Sequence, residues 1–183
     1  MQPLTSAEQT RIDDIRTKLA RLREVVNAVG LDEHVDSLAL YASLARLKTV
    51  QGNLSNELSF VAGLMAKDYL HSKFSLTPYD AAEKAQGAPG LDVDVRTIDG
   101  KRIIGEIKTT DPYKINDFGA KQKEEFERDF NKLNNEQAYH KFFFVTEARA
   151  FDMVKRRYAS RLRGATVVLL TTGQEYLEED FAR

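Results

Sequence analysis

Apolar residues recur three and four apart from Ile12 to Tyr69, and from Phe74 onward the period changes. Pro78, Gly87, Pro89 and Gly90 punctuate a loop-rich stretch, and beyond them GLDVDVRT and KRIIGEIKTT alternate or run apolar as strands do. That switch predicts helices first and a sheet interleaved with helices afterwards. With 183 residues and no internal repeat or low-complexity stretch, one compact unit with a substantial core is expected.

In the first part, Ile12, Ile15, Leu19, Leu22, Val26 and Val29 form a heptad seam on a helix over residues 5 to 29. Thr5 and Glu8 have capping-box spacing at its start, and Gly30 would end it. A parallel homodimeric coil would set Lys18 against the partner's Arg23, so a hairpin with a second helix over residues 35 to 50 is preferred. Val35, Leu38, Ala42 and Ala45 give that helix its stripe. Gly52-Asn53 breaks the chain, and a third helix runs from about Ser55 to Leu70. The expected organisation is an N-terminal helical hairpin, residues 1–52, and an α/β core, residues 53–183.

The later elements follow the same logic. A helix is expected over about Phe118 to Leu133, then a buried strand HKFFFVT, a helix from about Arg149 to Leu162 and a strand ATVVLLT. Strand-helix-strand implies a parallel pair, whereas the first two strands read as a hairpin, so the sheet is mixed. The acidic run Glu175, Glu178, Glu179 and Asp180 reads as a solvated tail.

Composition removes several chemistries. The chain has no cysteine, which excludes disulfides, thiol catalysis and thiolate metal sites. His34, His71 and His140 are far apart, so a metal here would be held by oxygen, as Mg²⁺ is. The apolar runs FFFV and VVLL are too short to span a membrane, and MQPLTSAEQTRIDD has no apolar leader core, which makes a cytoplasmic protein the expectation. A formal net charge of −1 excludes a globally basic coat but not a local basic patch.

The chemically unusual segment is GLDVDVRTIDGKRIIGEIKTT. Residues two apart on a strand share a face, so Glu106 and Lys108 are presented together, as are Asp92 and Asp94. A two-residue turn at Asp99-Gly100 would put Asp92 and Glu106 on different faces. A three-residue loop, Ile98-Asp99-Gly100 with Gly100 left-handed, pairs Thr97 with Lys101 and Asp92 with Glu106. It also sends Val93, Val95, Ile103 and Ile107 together to the core, and register follows the buried face. In that geometry Asp92, Glu106 and the backbone carbonyl of Ile107 can hold Mg²⁺, and Lys108 can neutralise charge on a phosphate.

Asp92 followed by Glu106-x-Lys108 after a short hairpin resembles the PD-(D/E)xK nucleases, which include restriction endonucleases, Holliday-junction resolvases and repair nucleases. The proline and aspartate that name the motif are not contiguous here, since the sequence reads Ala88-Pro89-Gly90-Leu91-Asp92. The resemblance covers residues 55 to 171 and implies a restriction-endonuclease-like mixed β-sheet core flanked by helices, in the order helix, three strands, helix and strand, with a further helix and strand. It also implies a glutamate near the metal on the first core helix, a position that Glu57 matches.

The function implied is a Mg²⁺-dependent DNA endonuclease, with Mn²⁺ able to substitute and a type II restriction enzyme as the first reading. A structure-specific or repair nuclease of the same fold and a catalytically inactive DNA-binding module are the alternatives. Double-stranded DNA is the expected partner, and cutting both strands calls for a homodimer. Thr109, Thr110 and Lys114 leave the catalytic strand, and Lys121 and Lys123 open the next helix, where phosphate is favoured. Between Lys141 and Ala165 seven basic residues, Arg156 and Arg157 among them, face two acidic ones, which suggests a phosphate rail.

Overall fold

A computed structural model describes residues 3–28, 37–84, 88–113 and 117–178. Val29, Gly30, His34, Val35, Gly87, Lys114, Glu179 and Asp180, all invoked above, lie outside the described residues. The chain divides into two units, Pro3–Glu57 and Leu58–Arg183.

In the first unit, helix α1 (Ser6–Asn27) begins at the expected capping box. The Glu8 amide donates to Thr5 Oγ1 at 3.1 Å and the Thr5 amide donates to Glu8 Oε2 at 2.9 Å, so two amides that the helix itself cannot satisfy are paired. Helix α2 (Ser37–Gln51) packs on α1. The covered stripe differs from the expected seam: Ile15, Lys18, Leu22 and Val25 turn inward while Leu19 and Val26 are exposed. Ile15 and Leu22 are common to both stripes, and Lys18, on the covered side, pairs with Glu57. On α2 the expected stripe holds at Ala45 alone among the described residues. Leu38 and Ala42 are exposed, and Ala45, Leu47 and Val50 are the apolar residues with partial cover.

Helix α3 (Leu54–Lys73) leads into the second unit. Among the described residues five strands follow: β1 (Val93–Arg96), β2 (Arg102–Lys108), β3 (His140–Val145), β4 (Ala165–Leu169) and β5 (Gln174–Tyr176). They form one mixed sheet in the order β1-β2-β3-β4-β5, antiparallel at both ends and parallel across β2-β3-β4. Helix α4 (Ala120–Asn135) links β2 to β3. The link from β3 to β4 starts as α5 (Ala148–Met153), widens to a π turn over Val154–Tyr158 and tightens to a 3₁₀ turn over Ala159–Arg161. The uniform α-helix expected over 149 to 162 is therefore three kinds of turn, yet Phe151, Val154, Tyr158 and Leu162 all point inward as expected.

Alternation sorts side chains to two apolar layers. Val93, Val95, Ile103, Phe142, Phe144 and Val168 pack with Ala66, Leu70 and Leu76 on one face. Ile104, Phe143, Val145, Val167 and Leu169 pack with Phe126, Phe130 and Leu133 of α4 and with Phe151 and Val154 on the other. Because β3 is covered on both faces, its core is the continuous run FFFV rather than an alternating one. Gly105 is what allows this beside β2: a Cβ there would lie 2.9 Å from a ring carbon of Phe144.

Two further expectations change. The resemblance implies three strands before α4, whereas among the described residues there are two, with a single antiparallel bridge, Leu76 to Thr97, beside β1. Pro78 follows at once and the next residues do not alternate, so the pairing stops after one step. The C-terminal run is not a plain solvated tail: Glu175 lies in β5, where it pairs with Lys73 and takes a hydrogen bond from Tyr69. Thr171-Thr172-Gly173, with Gly173 at φ 75°, is the turn signal that marks this hairpin.

Candidate active site

The β1–β2 hairpin sets the site. Gly100 has φ 85°, its amide donates to Thr97 O at 2.9 Å, and the Thr97 amide donates to Lys101 O at 2.9 Å. The loop is thus the expected three-residue one. Val93 pairs with Gly105, Val95 with Ile103 and Arg96 with Arg102, and one further step sets Asp92 opposite Glu106. β1 has ended there, and the Asp92 side chain takes over: its Oδ2 accepts the Ile107 amide at 2.9 Å. On a strand the N–H and C=O of one residue point to the same side, so the Ile107 carbonyl faces the Asp92 side as well.

Glu106 and Lys108 leave the opposite face of β2 from Ile107, yet they do not enter open solvent. Helix α4 covers them, and its acidic and basic side chains meet theirs. Lys132 Nζ lies 3.1 and 3.3 Å from the two carboxylate oxygens of Glu106, 3.2 Å from Asp129 Oδ1 and 3.4 Å from the Gly90 carbonyl. Lys108 Nζ lies 2.5 Å from Asp129 Oδ2, with the Phe126 ring beneath it at 5.6 Å. The Glu106 and Asp129 side chains are 2% and 4% exposed, against 36% for Lys132, so the lysine stands between the acids and water.

Burial raises the Glu106 pKa most, and the charges of Asp92 and Asp129 add to it, so its carboxyl is pushed up to about 8 although Lys132 pulls the other way. Burial disfavours the Lys132 ammonium, but Glu106 and Asp129 outweigh it and hold its pKa above the ordinary lysine value. At neutral pH the cluster therefore keeps a proton that its parts would release in water.

The donor set suits a hard divalent cation. Asp92 and Glu106 supply carboxylate oxygens, Ile107 a carbonyl, and the ammonium already drawn to Glu106 shows that positive charge is favoured at that point. Among the described residues no group of three or more His, Asp or Glu side chains forms a metal cage, so a bound ion would keep water ligands.

Glu57 belongs to the first unit, where the hydrogen bond from Lys18 holds its carboxyl below the usual value. Asp94, on the Asp92 face, is committed to Arg102 by two hydrogen bonds of 2.9 and 2.6 Å. Thr109 and Thr110 leave β2 half-buried. The loop after them is clamped by Gln122, whose Nε2 donates to Asp111 O at 2.9 Å and whose Oε1 accepts from Tyr113 and Gly119 at 3.2 and 3.0 Å. Asp111 also pairs with Arg149 at 3.2 Å.

Of the seven basic residues of the expected phosphate rail, Arg149, Arg157 and Arg161 are paired with carboxylates. Lys123 and Arg157 reach Asp117 at 2.5 and 3.7 Å, Arg161 pairs with Glu127, and Lys155 lies over the Tyr176 ring. Among the expected contacts, Lys121, Arg156 and Arg163 are exposed and keep side chains without a charged partner. Asp129 and Lys132 are the residues that sequence reasoning missed. The available signal was a charged residue inside the apolar stripe Phe126, Phe130 and Leu133 of an amphipathic helix.

Comparison of this chain with protein-family models, with curated proteins and with solved structures finds no match.

Proposed function

We propose that this chain is a Mg²⁺-dependent DNA endonuclease with a restriction-endonuclease-like core, and that a type II restriction enzyme is its first identity. The observation that carries the reading is the hairpin register, which sets Asp92 opposite Glu106 with Lys108 two residues on. The order α3, bridge, β1, β2, α4, β3, α5, β4 supports the core, although the third strand is reduced to one bridge.

Asp92, Glu106 and the Ile107 carbonyl would hold the ion. When bound, Mg²⁺ lowers the pKa of an attacking water and offsets negative charge on the phosphate. Asp129 holds Lys108 in place beside Glu106, where its ammonium would face the scissile phosphate. Gln122 and Arg149 hold the loop after β2, along which the phosphate backbone would run. Cutting both strands of a duplex calls for two such sites, hence a homodimer.

Plasmid DNA incubated with the protein and Mg²⁺ is the direct test. Cleavage is expected, with a loss of at least about 10²-fold in folded Asp92→Ala and Lys108→Ala variants. Mapping the cut ends separates a restriction enzyme from a structure-specific or repair nuclease. Binding of DNA with no cutting under Mg²⁺ or Mn²⁺ would replace the enzyme with a binding module.

A further inference from the structure

Lys132 engages both carboxylate oxygens of Glu106, the group that it would share with a bound ion. Its ammonium is within 3.4 Å of four oxygens, which come from the loop before β1 (Gly90), from β2 (both oxygens of Glu106) and from α4 (Asp129). Such a shell of carbonyl and carboxylate oxygens is one that a hard cation accepts. Both Glu106 oxygens are engaged by the ammonium, and two positive charges about 4 Å apart in a covered site repel strongly. Ion and ammonium therefore exclude one another at Glu106. Nothing in the covalent structure keeps Lys132 there: it sits on the flank of α4, is partly exposed and has a flexible four-carbon stem.

We infer that Lys132 is an internal cation that competes with the divalent metal for Glu106, filling the site when metal is absent and leaving it when metal enters. The inference rests on the nuclease reading only in taking Glu106 as a metal ligand. It makes Lys132 a positioning residue: it acts on the reaction by setting how readily Glu106 becomes available. The competition also explains why Glu106 and Asp129 can be buried together in the metal-free chain, since the ammonium lies between them.

Mn²⁺ binding followed by electron paramagnetic resonance tests this without DNA and without activity. Lys132→Met is expected to bind Mn²⁺ at least about tenfold more tightly than wild type, and Glu106→Gln to abolish binding. The variant's tighter binding has a rival explanation, the loss of one positive charge nearby. The double variant Lys132→Met/Asp129→Asn keeps the local net charge of wild type, and it is expected to retain the tighter binding. Affinity in Lys132→Met equal to or weaker than wild type would overturn the competition, as would a return to wild-type affinity in the double variant. Failure of every form to bind Mn²⁺, or binding indifferent to Glu106→Gln, would remove the metal site, and the nuclease reading with it.

Discussion

Glu106 carries the main chemical tension of the molecule, an acid placed on an apolar face and surrounded by more carboxylates than ammonium groups. Its pKa, raised from the ordinary value to about 8, has a defined consequence for stability. The folded chain retains a proton that the unfolded chain has already released, so this group costs stability as pH rises from about 4.5 to about 8, with a slope of at most about 1.4 kcal/mol per pH unit. Urea unfolding at pH 5 and pH 8 should show that decline in wild type and a flatter profile in Glu106→Gln. A profile that is no steeper in wild type would mean the carboxyl is not protonated in the fold. Beside it, Gly105→Ala forces a methyl against the Phe144 ring and is expected to destabilise by about 1–3 kcal/mol, read from the shift in urea midpoint. Glu106 and Lys108 were legible as a pair because strand period alone puts them on one face. Asp129 and Lys132 were not, because contact between α4 and β2 depends on how the helix lies over the sheet, and no local pattern encodes that.

Among the elements, the β1–β2 hairpin was the most readable, since a single register satisfied the loop length, the glycine at positive φ and the burial of Val93, Val95 and Ile103 together. Where no such coincidence existed, sequence period was a weaker guide. On α1 the seam through Leu19 and Val26 and the stripe through Lys18 and Val25 are adjacent faces of one helix, and the period alone does not choose between them. Strand β5 was missed because Gln174-Glu175-Tyr176 is a polar edge segment with too few residues to show alternation. The element that orders the site from outside is α4, through Gln122. Gln122→Ala removes the acceptor shared by the Tyr113 and Gly119 amides, and a destabilisation of about 0.5–1.5 kcal/mol is expected. Hydrogen exchange at Tyr113 and Gly119 should quicken in that variant while exchange in β3 stays slow; unchanged exchange at both amides would show that the loop is held by something else.

For the whole molecule, the near balance of acidic and basic residues is realised as local pairing. Most cations from Lys121 to Arg163 already face a carboxylate, a ring or a carbonyl, so DNA would meet few unpaired ones. With Lys121, Arg156 and Arg163 as the phosphate contacts, the slope of log affinity against log salt should be near −3, measured by fluorescence anisotropy on duplex DNA. A slope near −7 would mean that the paired residues open to take phosphate.

The hairpin that pairs Asp92 with Glu106 is closed by a loop of three residues, whereas the β2–β3 pairing spans all of α4. Closure entropy favours the short loop first, so during folding the two acids meet before the lysine-bearing helix arrives to balance them. Their repulsion thus falls on the path to the native state as well as on the state itself. Refolding at pH 8, followed by circular dichroism, should accelerate on adding Mg²⁺ in wild type and lose that acceleration in Glu106→Gln.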